Sequence, residues 1–299
     1  MAAASGQLGG DLSEYLPWIF GIIGIALTIT AAWMAQRLVR RRGAAERDAA
    51  QIGRLYSRLE ELYGEQRTIA ETLQRALLPQ VSPNIAGLET AVRYVPGAKG
   101  VDIGGDWYSV VAIDDDRFGF VVGDVSGRGI SAATIMAALR YTIRTLVLEG
   151  NSPASVLDKC SKYLDVIVDG HFATVMVGIG DMVNHQVTLS NAGHLNPLLI
   201  NGERVDYLET NVGVPLGVGG HRYQSVTFSS PPNSTLIAFT DGLIERRGEG
   251  IDVGLDRLKE SATAASRQPL EEMLSAIIQT LTNDASEDDV AVLALRWLN

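Results

Sequence analysis

The sequence predicts an α+β sandwich, with helices packed outside antiparallel sheets, carried behind one long apolar helix. Nine short runs rich in β-branched and aromatic residues, each bounded by turn residues, read as strands: 90–94, 107–113, 118–122, 173–179, 186–190, 197–200, 225–228, 235–239 and 290–295. Two pairs of helical segments interrupt them, 131–148 with 153–168 and 256–263 with 270–281. Strand blocks broken by helix pairs, without regular βαβ alternation, disfavour a Rossmann-like sheet.

The elements follow in chain order. Residues 15–36, YLPWIFGIIGIALTITAAWMAQ, pass without a charge. That length matches the roughly 20 apolar residues that cross a bilayer. Trp18 and Trp33 sit near its two ends, where aromatic belts form, and Arg37, Arg40, Arg41 and Arg42 follow at once. Asp11 and Glu14 alone precede it, so the positive-inside rule predicts a single pass through the inner (cytoplasmic) membrane with the C-terminal bulk in the cytoplasm. A cleaved signal peptide is disfavoured by the missing basic n-region and the long apolar stretch. The arginine cluster speaks against a buried core helix. The expected organisation is a short extracytoplasmic tail at 1–14, too short for a folded sensor, a transmembrane helix at 15–39, a helical linker at 44–78 and a main domain at 80–299.

Within the linker, Ile52, Leu55, Leu59, Leu62, Gln66, Ile69, Leu73 and Ala76 alternate three- and four-residue steps. This a/d seam reads as a parallel coiled coil that makes a homodimer through residues 52–76, with Gln66 fixing register. A helix packed on its own domain is the alternative. Pro79, Pro83 and Gly87 mark the break that follows.

Composition narrows the function. An apolar content of 46% supplies a sizeable core. Residues 37–78 are basic, whereas 79–299 hold twenty-seven acids against sixteen Lys and Arg. A domain this acidic argues against nucleic acid as a partner and suits a cation-binding protein. The single Cys160 excludes an intramolecular disulfide framework and a cysteine-ligated zinc site; it lies in a helical pattern and reads as a buried thiol.

The acids carry the chemistry. Asp106 lies in VDIGGDWYSV, Asp124 in VVGDVSGRG, Asp241 in LIAFTDGLIE, and Asp288 with Asp289 in SEDDVAVLAL. Each stands where an apolar strand begins or ends, and three have a glycine beside them. One Asp-Gly pair is an ordinary turn. Several at strand boundaries point instead to metal ligands, because hard cations take carboxylate and carbonyl oxygens. A phosphate-binding loop at 123–129 fails on detail, since GDVSGRG has neither the lysine nor the spacing of a Walker loop and GxGxxG is absent. Backbone amides at the start of the next helix remain able to hold an anion.

The ordered set GGDWY, GDVSGRGISAA, SNAGHLNPLLI, GVPLG, TDGLIE and DDVAVL resembles the SpoIIE/RsbU-like subgroup of the metal-dependent (PPM-type) protein serine/threonine phosphatases, over about residues 72–297. The resemblance implies an αββα sandwich holding two Mn²⁺ or Mg²⁺ ions between its sheets. It also implies hydrolysis of phosphoserine or phosphothreonine on a regulatory protein, in many members an anti-anti-sigma (STAS) protein. Carried across, Asp106 and Asp124 bridge or flank the metal pair, the Val125 carbonyl is a backbone ligand, and Asp241 with Asp288 completes one shell. Asp289 is the lesser candidate of its pair. Arg128, Gly127 and Gly129 are the candidate phosphate-binding residues, with a solvated loop charge the alternative for Arg128.

Two departures stand out. Ser109 replaces the last acid of the family's GGDxYD, and Ser126 stands where eukaryotic relatives carry a histidine thought to protonate the leaving group. His194 reads as a structural histidine in a turn shaped by Asn191 and Gly193, and His171, His185 and His221 as surface residues. The expected function is thus a membrane-anchored phosphatase regulated by its dimeric linker. The alternative is a catalytically silent scaffold recruiting a partner to the membrane. A sensor working through the outer tail is disfavoured by the tail's length.

Overall fold

The computed structural model describes residues 12–77, 83–97, 104–220, 222–282 and 288–298. The chain divides into two compact units, 1–64 and 65–299, with the division inside the first helix. Helix α1 (Leu12–Leu77) contains one stretch, Leu16–Gly43, of mean hydropathy 1.9 and with nothing packed over it, long and apolar enough to cross a membrane. Thr28 and Thr30 return their hydroxyls to carbonyls one turn back, which satisfies the polar side chains within that apolar stretch. Arg37 lies 4.6 Å above the Trp33 ring. Ile52, Leu55, Leu59 and Leu62 are all exposed. The side chains of Gln66, Ile69, Leu73 and Ala76 lie outside those described.

The folded part runs β1 (Leu88–Val95), β2 (Trp107–Ala112), β3 (Arg117–Val125), α2 (Ile130–Leu148), α3 (Pro153–Cys160), α4 (Val166–Asp169), β4 (Ala173–Asp181), β5 (Gln186–Ala192), β6 (Leu198–Asn201), β7 (Arg204–Tyr207), β8 (Val212–Gly213), β9 (Ser225–Ser229), β10 (Thr235–Phe239), α5 (Ile251–Ala265), α6 (Leu270–Leu281) and β11 (Val290–Trp297). One sheet has the order β1-β11-β10-β6-β7 and the other β2-β3-β4-β5-β8, with β9 also on β5.

Three apolar cores hold the layers, and strand periodicity assigns residues to them. In β11, Val290, Val292 and Ala294 face α5 and α6, while Ala291, Leu293, Leu295 and Trp297 face the opposite sheet. In β3, Val121 and Val125 pack beneath α2 and α3, and Phe118, Phe120 and Val122 join the inter-sheet core. Glycines at 178 and 180 make room for the Phe120 and Phe118 rings. The result is the predicted sandwich of two sheets between two helix pairs. Cys160 is buried under the second sheet, and burial pushes its thiol up to about 12, as for an inert core residue.

Four details differ from the expectation. Helix 153–168 is broken: α3 ends at Cys160, and Asp165 starts the separate α4 by accepting from the Ile167 amide, while the Val166 amide bonds the Gly217 carbonyl. β7 and β8 are additional strands, too short and polar to stand out by pattern. The β5–β8 pairing is parallel, over Asn191↔Val212 and Ala192↔Gly213, so the second sheet is not purely antiparallel. Strand β3 runs on to Val125, because Asp124 and Val125 still pair with Thr174 and Ala173 of β4.

Candidate metal centre

All five acids come from one end of the sandwich. β2 begins where β3 ends, with Trp107 opposite Gly123, and β10 ends where β11 begins, with Phe239 opposite Val292. Asp106 immediately precedes β2 and Asp124 is the penultimate residue of β3. Asp241 opens a short 3-10 helix after β10, and Asp288 and Asp289 lead into β11.

Glycines admit the close approach. A Cβ at Gly105 would collide with the carbonyl oxygen of Val125, and one at Gly104 with the Asp289 carboxylate. At Gly242 it would strike the Asp289 carbonyl. Only glycine lets these backbones meet. The Val125 amide in turn donates to Gly105 O at 3.2 Å. The other two glycines of interest bend the loop: Gly127 and Gly129 have φ of 89° and 91°, in the left-handed region, and Gly129 precedes α2.

Asp106 is the most rigidly held acid. It is 4% exposed and accepts a 2.6 Å hydrogen bond from Thr240 Oγ1. Thr240 itself accepts from the Ala291 amide at 2.9 Å, so one buried hydroxyl ties β10, β11 and the acid of the opposite sheet together. Asp289 is buried and accepts from the Gly97 amide at 2.9 Å. Asp288 is exposed and forms an ion pair with Arg128 at 2.8 Å. The sequence reading had ranked Asp288 first of this pair; the structure shows the two held differently, Asp289 in the wall and Asp288 at the mouth.

The electrostatics show crowded negative charge. Burial, then repulsion from Asp124, pushes the Asp106 carboxyl well above the usual carboxylate range. Burial also raises Asp124, with Asp288 and Asp289 adding repulsion. Asp241 is pushed up to about 6, by burial first and then by Asp124 and Asp288. Burial raises Asp289, against the Gly97 hydrogen bond. Among the described residues no three His, Cys, Asp or Glu side chains close into a ready-made metal cluster. The donor set nevertheless fits hard divalent cations: crowded carboxylates that burial leaves short of counter-charge, and a carbonyl at Val125 laid open by Gly105.

Around this centre the structure adds residues that the pattern did not reveal. His171 is half-buried, not a surface residue: Nδ1 bonds the Ser126 carbonyl at 2.5 Å and Nε2 meets Ser131 Oγ at 3.1 Å. Ser126 also accepts from the Phe172 amide at 2.9 Å, so the loop bearing Asp124 is strapped to the start of β4. Thr240 lies within TDGLIE, yet its partner is 134 residues away, and His171 stands 45 residues from its own. Ser109 is buried within β2. His194 is buried, bonded through Nδ1 to Thr174 at 3.0 Å, and framed by Asn191, which accepts its amide and donates to its carbonyl. Burial lowers it to about 4. His185 is half-buried, and His221 lies outside the described residues.

Sequence comparison decides the family. The family described as Stage II sporulation protein E (SpoIIE) matches residues 114–298. The chain belongs to the SpoIIE family. Among curated proteins, this SpoIIE-family chain is 25% identical over 234 residues to RsbU of Bacillus subtilis (strain 168), named a phosphoserine phosphatase, covering 76% of this chain and 69% of RsbU. It is 25% identical over 256 residues to protein IcfG of Synechocystis sp. (strain ATCC 27184 / PCC 6803 / Kazusa), covering 75% of this chain but only 40% of IcfG. The SiaA-PP2C domain of Pseudomonas aeruginosa superposes with a TM-score of 0.67 at 22% identity, covering 79% of this chain and 97% of that domain. That likeness identifies the αββα arrangement as the PP2C fold.

Proposed function

We propose that this chain is a metal-dependent protein serine/threonine phosphatase. The observation that carries the reading is the convergence of Asp106, Asp124, Asp241 and Asp288 from four strand ends beside the Val125 carbonyl. These groups would hold two Mn²⁺ or Mg²⁺ ions. Such ions supply a nucleophilic water near neutral pH and neutralise phosphoryl oxygens. The chain's own residues do the rest. Thr240 fixes the orientation of Asp106, the His171 strap holds the loop of Asp124, and the glycine bends at 127 and 129 present Arg128 and the first amides of α2 to an incoming phosphate. Membership of the SpoIIE family and the likeness to RsbU support a phosphoserine or phosphothreonine substrate on a regulatory protein of the STAS type.

The same reading anchors the chain in the inner membrane through Leu16–Gly43, with the SpoIIE-family domain cytoplasmic and a dimeric linker as regulator. The apolar seam at Ile52, Leu55, Leu59 and Leu62, exposed in a single chain, supports a second copy as its cover. Phosphate release by the full chain in detergent, with and without Mn²⁺, tests the activity on a generic phosphoester and a phosphoserine STAS protein. Manganese-dependent turnover abolished by Asp124→Asn and Asp241→Asn is expected. Bound metal with no turnover on either substrate would favour the silent scaffold.

A further inference from the structure

Arg128 and Asp288 are 160 residues apart in the chain and meet at the mouth of the acidic centre, Nη2 to Oδ1 at 2.8 Å. The same Oδ1 accepts the Asp289 amide at 2.9 Å, so the guanidinium and the backbone share one oxygen. Gly127 and Gly129, both in the left-handed region, turn the loop so that Arg128 reaches across to the start of β11. The arginine does more than pair with one acid. Its charge also draws Asp124 and Asp289 back down against their burial.

We propose that Arg128 is a built-in counter-cation of this site, holding Asp288 in an ion pair that an incoming divalent cation must break, and that it thereby sets the site's cation affinity. The inference rests on reading Asp288 as a cation ligand.

The energetic balance permits the exchange. The two side chains are 31% and 55% exposed, and a pair this open contributes little. A fully buried pair would resist, since breaking one leaves an uncompensated buried charge. Arginine never sheds its charge at working pH, so it shields the carboxylates continuously and opposes a second cation by direct repulsion. Removing it should have two opposite effects. The acids would repel one another more strongly when no metal is present, and a divalent cation would bind more tightly.

The test uses the full chain in detergent, stripped with a chelator, and the metal alone as probe. Mn²⁺ affinity is read by isothermal titration calorimetry and Tm by melting with chelator or with saturating Mn²⁺, for wild type, Arg128→Gln and Arg128→Lys. Arg128→Gln is expected to bind Mn²⁺ about 5-fold more tightly or better, the scale of one exposed ion pair. Its Tm should drop in chelator and return to the wild-type value in Mn²⁺, whereas Arg128→Lys should stay close to wild type in both. Unchanged or weaker Mn²⁺ binding by Arg128→Gln, with wild type binding normally, overturns the inference and leaves the phosphatase reading standing. A wild-type chain that binds no Mn²⁺ overturns both.

Discussion

Asp106 and Asp288 carry the same group to the same end of the sandwich, yet opposite means hold them. Asp106 is sealed in the wall, its oxygen clamped by the Thr240 hydroxyl, and burial with the neighbouring Asp124 raises its carboxyl well above the usual range. Asp288 stands at the mouth, half in solvent, and is held by Arg128. The wall is preorganised by tertiary hydrogen bonds; the mouth is adjustable. On the proposed reading, the fixed corner would set where a cation sits and the adjustable one how easily it enters.

The largest expected effect comes from breaking the wall. Asp106→Asn should reduce kcat by about 10²–10³-fold at saturating Mn²⁺, the size of losing one preorganised electrostatic group. Steady-state kinetics on a phosphoserine protein read it, and an activity within a few-fold of wild type would remove Asp106 from the centre.

The fold should also respond to acid through the buried His194. Its folded value of about 4 lies below the ordinary 6.5, so the unfolded chain binds the extra proton between these two pH values. Stability from this group is complete above pH about 6.5 and is lost as the pH falls towards about 4, by up to about 3 kcal/mol. Chemical denaturation across that window checks it. His194→Gln should flatten the slope, against the raised wall acids, which act in the opposite direction; an unchanged slope would show that His194 does not carry it.

Thr240→Val keeps the shape and removes the clamp. Mn²⁺ affinity should weaken about 10–100-fold, as when the partner of a metal ligand is lost, and Thr240→Ser should restore most of it. Calorimetry decides between that result and a purely structural role, which would lower Tm alone.

Asp288→Asn, at the mouth, should leave Tm in chelator within a degree or two, because an exposed pair contributes about 0–1 kcal/mol. A large fall in Tm would show that the mouth is as rigid as the wall and erase the contrast.

Much of this was legible in the sequence. The apolar runs named nine strands because inward and outward positions alternate, as β11 shows by dividing its residues between two cores. Helix 153–168 was misread as continuous because its apolar spacing hides the break, which depends on Asp165 capping α4 and on the distant Gly217 carbonyl. β7 and β8 were missed because edge strands of two to four residues carry no period.

Asp106, Asp124 and Asp241 were legible because aspartate beside glycine at a strand boundary is a local pattern with a local cause, glycine permitting the bend; Asp288 and Asp289 stood out only as a pair at the start of a strand. The sequence by itself determined the uncharged stretch 15–36, the order of strands and helix pairs, and which carboxylates stand at strand ends. Only the tertiary structure decided how each is held. Thr240 on Asp106, His171 on Ser126 and Arg128 on Asp288 join residues 134, 45 and 160 apart, where no spacing rule operates and only the packing of two sheets brings donor to acceptor.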